Sequence, residues 1–353
     1  MIIIVSPSLK TNNNVSGVSS VARFIIDNNT EQKYLHFQQG RQDGEGKGIR
    51  RIIRVLKSFV RWKKLLATER DAIIHYNYPL DAPSIIRDSF FIRYAFKHRR
   101  KIVIHIHGGL YLFKDDKPWI IDRILKSVFG YNVPVIVLSD KEKEHICKVY
   151  NRKNVYSLPN CIELKDAKSF VRMENETRLR LLYLGRIEKN KGMDYILEAL
   201  KMLKAQGEDF LLKMAGKETV EGEYINRFKK ALGNKFEYCG VVSGSRKYDL
   251  LKESDVFVMP SYYEGLPMAL LECMSYGVVP VVTNVGSIGE YVSDGENGII
   301  VNVKDSESIF KGILMLDKKR DCLYNLSQNA RNTIFTRLKP EGYVAKLNEI
   351  YRY

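Results

Sequence analysis

The sequence predicts an α/β protein of two doubly wound, Rossmann-like domains facing each other across a cleft. Three observations carry this expectation. At 353 residues the chain exceeds the size at which one hydrophobic core stops growing. Short β-rich runs alternate with helical patterns through both halves, the mark of parallel sheets with helices on both faces. A polar stretch without clear period, 162–177, separates the two runs. The expected divisions are a first domain at 1–165, a linker at 166–177, a second domain at 178–335, and a closing helix at 336–353 that packs back on the first domain.

The first-half strands are Ile2 to Val5, Tyr34 to Phe37, Ala72 to His75, Ile102 to Ile106 and Val135 to Leu138. The first is followed by a polar loop carrying Gly17. Val18, Val21, Ala22, Phe24 and Ile25 then supply a helical face. MIIIVSPSL reads as a strand and not a signal peptide, because it lacks a basic leader. No apolar run is long enough to span a bilayer. Five scattered cysteines, with no CxxC pair, fit a reducing cytoplasm and argue against zinc.

Charge is distributed unevenly. Residues 1–160 hold 28 lysines and arginines against 14 acids, and 161–353 hold 29 against 27. The formal charge of +16 therefore lies almost wholly in the first half. That asymmetry points to an anionic surface met by one domain only. Within it, 47–66 reads as one basic helix. Ile49, Ile52, Ile53, Leu56, Val60 and Leu65 fall near one face, Phe59 and Trp62 at its edge. Lys47, Arg50, Arg51, Arg54, Lys57, Arg61, Lys63 and Lys64 cover much of the rest, with no acid among them. It is either a domain helix with a solvated basic back or a helix at an anionic membrane surface. GEGKG at 44–48 lacks the spacing of a phosphate loop.

His105 and His107 end the fourth strand on one face, before Gly108 and Gly109. One of them reads equally as a satisfied core histidine, and a His before two glycines at a strand's carboxyl end, as His107 is, as a crevice candidate. A metal pair is disfavoured, since no third ligand lies near in sequence.

The second half restarts the alternation at Leu181 to Leu184, Phe210 to Met214, Phe236 to Tyr238, Val256 to Met259, Val278 to Val282 and Gly298 to Val301. After the first of these comes GRIEKNKG, 185–192. Gly185 turns the chain, Arg186 offers a forked donor, and Lys191 sets a point charge at a helix entry. Such a cationic corner suits a diphosphate. After Met259 comes PSYYEGLPMALLE, 260–272: a strand end, a loop, then a helix with Pro267 in its first turn. Helix N-termini offer free N–H groups to an anion. Glu264 and Glu272 bracket this element. For a lone pair of glutamates at this spacing, a cap and a solvated helix residue would be the plainer reading.

Taken together, these stretches resemble the family 4 glycosyltransferases, a large retaining group with the GT-B fold. The resemblance is strongest from 181 to 301. It rests on LGRIEKNKG, LLKMAG ending at Gly216, FEYCGVV, DVFVMPSYYEGLPMALLE with Glu264-x₇-Glu272, SYGVVPVV, and VGSIGEYVSDGENGIIV. The first half matches more loosely, through Gly17, His107-Gly108 and Leu158-Pro159-Asn160.

The resemblance implies roles. Arg186 and Lys191, at the Gly185 corner, would hold the donor diphosphate. Glu264 would bind hydroxyls of the transferred sugar close to the reacting carbon, and Glu272 the ribose. Gly265 and the N–H groups of Leu266 and Met268 would touch sugar or phosphate. Gly17, Gly216 and Glu290 would border the donor, and His107 would reach donor sugar or acceptor. With no DxD motif, neither metal nor cofactor is expected. Three departures stand out: a single glycine in Ser16-Gly17-Val18, Cys161 where relatives carry Gly, and Pro267 where many carry Gly.

The expected function is retaining transfer of a sugar from a nucleotide sugar, UDP favoured and GDP second. The acceptor is a glycan or lipid-linked glycan for surface polysaccharide. The expected place is cytoplasmic, peripheral at the inner face of the membrane, with no nucleic-acid partner. Two rivals remain: an epimerase or hydrolase on the same fold, and a non-enzymatic protein using only its basic face.

Overall fold

The strand-and-helix alternation folds into two parallel sheets, one in each compact unit. The computed structural model describes residues 1–10, 16–40, 48–172 and 178–353. The units are Met1–Asn160 with Pro340–Tyr353, and Cys161–Lys339.

In the first unit β1 (Ile2–Ser6) leads through α1 (Gly17–Asn28) to β2 (Tyr34–Gln38). Then follow α2 (Ile49–Thr68), β3 (Ile73–Tyr78), α3 (Ala82–Lys97), β4 (Ile102–Ile106), α4 (Trp119–Phe129), β5 (Val135–Val137), α5 (Asp140–Tyr150) and β6 (Val155–Ser157). The sheet order is β2-β1-β3-β4-β5-β6, all parallel. Isoleucine and valine runs fill its middle because both faces are covered. Caps set helix starts: Asp81 accepts from the Ser84 N–H at 3.1 Å, and Ser139 from the Glu142 N–H at 3.1 Å.

The second unit opens with α6 (Lys165–Ser169) and β7 (Leu179–Leu184). It continues through α7 (Met193–Ala205), β8 (Phe210–Ala215), α8 (Ile225–Leu232), β9 (Phe236–Gly240), α9 (Gly244–Glu253) and β10 (Val256–Met259). After α10 (Met268–Ser275), β11 (Val279–Thr283) and β12 (Ile299–Val301) come α11 (Ser306–Lys318) and α12 (Arg320–Arg337). The order is β12-β11-β10-β7-β8-β9, again all parallel.

The last helix, α13 (Pro340–Tyr351), belongs to the first unit. Tyr343 meets Phe24 edge-on, Asn348 exchanges hydrogen bonds with Asn29, and the Tyr353 hydroxyl bonds the Ile102 backbone.

Three expectations change. The strand β6 went unread, because its three residues give no periodic signal. The stretch expected as a linker holds α6 and a buried Arg172, while 173–177 lie outside the described residues. The Arg172 guanidinium donates to the carbonyls of Leu251, Ser254 and Tyr276, so its polarity serves internal hydrogen bonds. The largest change is α2, whose faces are inverted. Trp62, read as an edge residue, is 0% exposed, and its indole N–H donates to Phe91 O at 3.1 Å. The isoleucine stripe points outward instead, with Ile49 73% exposed. Lys47 and most of GEGKG lie outside the described residues. Aromatic area decides the orientation: Trp62 packs with Phe37, Tyr76 and Phe91, and Phe59 with Phe91 and Tyr94.

Both tryptophans, Trp62 and Trp119, lie in the first unit, so intrinsic tryptophan fluorescence follows that unit alone. Truncating the buried Tyr351 to alanine is expected to lower the stability of this transition by ~3 kcal/mol. Urea unfolding followed by tryptophan emission checks this. An unchanged midpoint would show that α13 contributes nothing to the first unit.

Candidate active site

The second sheet reverses its direction of growth between the neighbouring strands β7 and β10. Loops leaving the carboxyl ends of such a pair diverge and open a crevice, the usual ligand position in an open α/β sheet. From β7 the chain passes Gly185 and Arg186, makes a 3₁₀ turn at Lys189–Lys191, and enters α7 through Gly192. From β10 it passes Pro260, turns through 261–266, and enters α10 at Met268. Pro267 is the N-cap residue, one position earlier than the sequence suggests, and its carbonyl accepts from the Leu271 N–H at 3.3 Å.

Backbone contacts lock these loops together. The Tyr262 N–H donates to Asn190 O at 2.9 Å, and the Asn190 amide to the Tyr263 hydroxyl at 2.8 Å. Gly192 has φ +79°, and a Cβ there would collide with Pro260 O. On the far side the Ser287 N–H donates to Gly265 O at 3.0 Å. Gly286 has φ +59°, and its Cβ would collide with Glu264 O. The 260–267 loop is thus clamped between the loops that follow β7 and β11.

The clamp brings Lys191 and Glu264 together, Nζ to Oε1 at 2.6 Å, with both side chains largely shielded. Glu272, just over one turn into α10, pairs with Lys247 of α9 at 2.7 Å. Burial works against the Lys247 ammonium, but the Glu272 carboxylate outweighs it and raises its pKa above the lysine norm. Lys247 carried no sequence signal: it sits 25 residues from its partner on an ordinary charged helix. Tyr183, buried under this corner, donates its hydroxyl to Arg186 O. Burial, then the Glu264 charge, raise the Tyr183 pKa well above normal, so the phenol keeps its proton. The corner therefore sets two cations, each against a carboxylate, beside backbone that turns at Gly185 and at Gly216, the residue after β8.

The remaining residues named from the sequence are spread out. Gly265, Leu266 and Met268 line the same loop, with Leu266 and Met268 buried. Glu290 is exposed on a 3₁₀ turn after β11. Gly17 opens α1 in the first unit, and 11–15 before it lie outside the described residues.

His107 follows β4 in the first unit, where its environment fixes its proton. The Asn77 side-chain amide donates to Val5 O at 2.9 Å, so Asn77 Oδ1 faces His107 Nε2, 2.6 Å away, and must accept. The proton of neutral His107 is therefore on Nε2. Nδ1 is left as a bare, buried acceptor with no hydrogen-bond partner among the described residues. Behind it the rings of His105 and His107 lie 4.1 Å apart. His105 Nδ1 meets His75 Nε2 at 3.1 Å, and His75 Nδ1 meets the Tyr351 hydroxyl at 2.7 Å. Burial, and for His107 the nearby His75, push the pKa values of His75 and His107 down to about 3. Burial also holds His105 well below the usual imidazole range. Among the described residues, no group of three His, Cys, Asp or Glu side chains could hold a metal ion.

Residues 165–333 match the family model for glycosyl transferases, group 1. An uncharacterised glycosyltransferase of Methanocaldococcus jannaschii is 26% identical over 263 residues, 69% of this chain and 66% of that one. The amylovoran biosynthesis glycosyltransferase AmsD of Erwinia amylovora is 26% identical over 206 residues, 57% of each chain. The chain thus spans just under two thirds of one relative and little over half of the other. Among solved structures, HepE of Anabaena in complex with UDP-glucose superposes with a TM-score of 0.74 at 14% identity, covering 99% of this chain and 98% of that one. The superposition shows a GT-B fold, and the group 1 match lies over the second unit. The group 1 match covers both halves of the cationic corner, from Arg186 and Lys191 to Glu264 and Glu272.

The three histidines give the first unit a definite pH response. Their pKa values are depressed on folding, so the unfolded chain binds more protons below about pH 6.5. Their contribution is complete above that pH and is lost as pH falls toward about 3, at up to ~1.4 kcal/mol per pH unit per histidine. Urea unfolding followed by tryptophan emission between pH 6.5 and 5, where carboxylates stay ionised, should show this slope. Burial lowers His36 and His145 as well, so His105→Leu should remove less than a third of it. A flat profile in that window would mean that the histidines are charged in the folded unit.

Proposed function

We propose that the chain is a retaining glycosyltransferase that moves a sugar from a nucleotide sugar, a UDP-sugar first and a GDP-sugar second, to a glycan or lipid-linked glycan acceptor. The observation that carries this reading is the pair of lysine–glutamate contacts, Lys191–Glu264 and Lys247–Glu272, at the strand-order reversal of the second sheet. Departure of a nucleoside diphosphate builds negative charge on phosphate. Arg186 and Lys191 supply fixed cations at a strand–helix corner, where preorganised charge stabilises that departure most effectively. Glu264, held against Lys191, takes the hydroxyls of the transferred sugar. Glu272, oriented by Lys247, takes the ribose. Gly265, Leu266 and Met268 lie along sugar and phosphate, with Gly185, Gly216 and Glu290 at the borders of the donor. His107, with Nε2 held by Asn77 and Nδ1 buried and unpartnered among the described residues, is the first-unit candidate for an acceptor hydroxyl.

With cations already set for the leaving group, the proposed chemistry uses no metal and no cofactor. The AmsD likeness supports a place in surface polysaccharide synthesis, and the HepE likeness supports UDP as the carrier. No helix among the described residues is long and apolar enough to cross a membrane. The proposed location is cytoplasmic, with peripheral contact between the basic first unit and the inner membrane face.

The test is product analysis. Purified protein is incubated with a panel of UDP- and GDP-sugars, with and without lipid-linked glycan acceptors, and the anomeric configuration of the product is read by NMR. Transfer with retention, needing acceptor and unaffected by chelator, is the expected result. Glu264→Gln should lower the rate ~100-fold or more. Turnover of a nucleotide sugar without acceptor would instead identify an epimerase or hydrolase.

A further inference from the structure

The exposed apolar side chains of the first unit are concentrated. On α2 they are Ile49, Ile52, Ile53, Leu56 and Val60, which share one helical face. On α3 they include Ile86 and Phe90, one turn apart, with Phe90 60% exposed. On α4 they are Trp119, 71% exposed, and Ile120. These three helices lie side by side. Trp62, Phe91 and Leu125, one from each, enter the same core beneath them. Right-handed crossovers that all step the same way across the sheet place α2, α3 and α4 on one face.

Their position along the helices is equally regular. Most of these residues lie in the first half of their helix, with Val60 and Phe90 just past the middle of α2 and α3. Each of these helices follows a parallel strand, so its start lies at the carboxyl edge of the sheet. That is also the edge at which His107 leaves β4.

Charge surrounds this patch. Arg50, Arg54, Lys57, Arg61 and Lys64 form a strip along α2 beside the isoleucines, and α2 contains no acid. Arg93 and Lys97 continue the outer line of α3 beyond Phe90. On α4, Asp122 is paired with Lys126 at 2.7 Å. Before it, Asp115 and Asp116 are balanced by Lys114 and Lys117. The net field over α2 and α3 is positive.

We propose that this three-helix surface docks on an anionic lipid bilayer, inserting its apolar side chains below the headgroups while the basic strip meets lipid phosphates. Apolar residues flanked by cations match an interface that is wet, charged and oily within a few ångströms. A nucleic acid offers phosphates but nothing to bury Ile52, Leu56 and Phe90. Docking in this pose turns the carboxyl edge of the first sheet, with His107, toward the bilayer. This deepens the reading of a lipid-linked acceptor and rests on it for its purpose, though the surface itself does not.

The test needs neither donor nor acceptor, so its failure leaves the transfer reading standing. The full chain is mixed with vesicles of phosphatidylcholine alone or with ~30% phosphatidylglycerol, and binding is read by co-sedimentation. Trp119 emission is followed with brominated lipid. Wild type should bind the anionic vesicles, with Trp119 quenched. Raising salt from ~0.1 to ~0.5 M should weaken binding but leave a residue, because screening acts on the charges alone. That residue should fall roughly tenfold in Leu56→Ser and in Phe90→Ser, each a surface change. Lys57→Gln with Arg61→Gln should lower binding at low salt only. Circular dichroism confirms folding of each variant. Complete release at ~0.5 M salt with no Trp119 quenching would overturn the proposal. So would binding of duplex DNA in place of vesicles, or a dimer by light scattering that Leu56→Ser dissociates.

Discussion

The candidate site depends on one constraint, the clamping of the 260–267 loop by backbone on both sides. Neither Gly192 against Pro260 nor Gly286 against Glu264 leaves room for a side-chain carbon. Because the loop is held this close, Lys191 and Glu264 meet at 2.6 Å. Preorganisation of this kind is what makes a fixed charge effective in catalysis: no reorientation is needed as the leaving group develops its charge. The strand-order reversal between β7 and β10 supplies the opening, and the glycines supply the closeness of its walls.

The first unit solves a different problem. Its sheet buries His75 and His105, with His107 half-buried just past the end of β4, and the three stay neutral because burial disfavours their charged forms. Asn77 then decides which His107 nitrogen is bare, using a backbone carbonyl as its reference. The C-terminal helix closes the other end of the row through Tyr351. Residues more than 200 positions apart in sequence thus define one side chain's chemistry.

Much of this was legible in the chain. Parallel-strand runs such as Ile2–Ser6 and Val256–Met259 are buried on both faces and read as continuous apolar segments. Arg186, Lys191, Glu264 and Glu272 stood out because each stands at a fixed offset from a strand end, and the structure brings Lys191 against Glu264. What escaped were matters of partnership across long distances. Lys247 looks like any helix lysine until Glu272 is beside it. Asn77 is one more strand residue until Val5 O orients it. The orientation of α2 was misjudged because an isoleucine stripe is a strong amphipathic signal. Trp62 and Phe59, fewer but larger, bury more area against Phe37, Phe91 and Tyr94. The polar run before β7 looked like a linker because periodicity cannot register a guanidinium satisfied by three carbonyls.

The decisive measurement is a calorimetric titration of UDP, GDP and ADP into the full chain and into Lys191→Ala. One diphosphate should bind wild type, and the variant should lose ~10- to 100-fold in affinity, the worth of one charge-assisted hydrogen bond. That outcome would place the nucleotide at the Lys191–Glu264 corner and name the base. A folded wild type that binds none of the three, or a variant that binds as tightly as wild type, would contradict the assignment of this corner as the donor site.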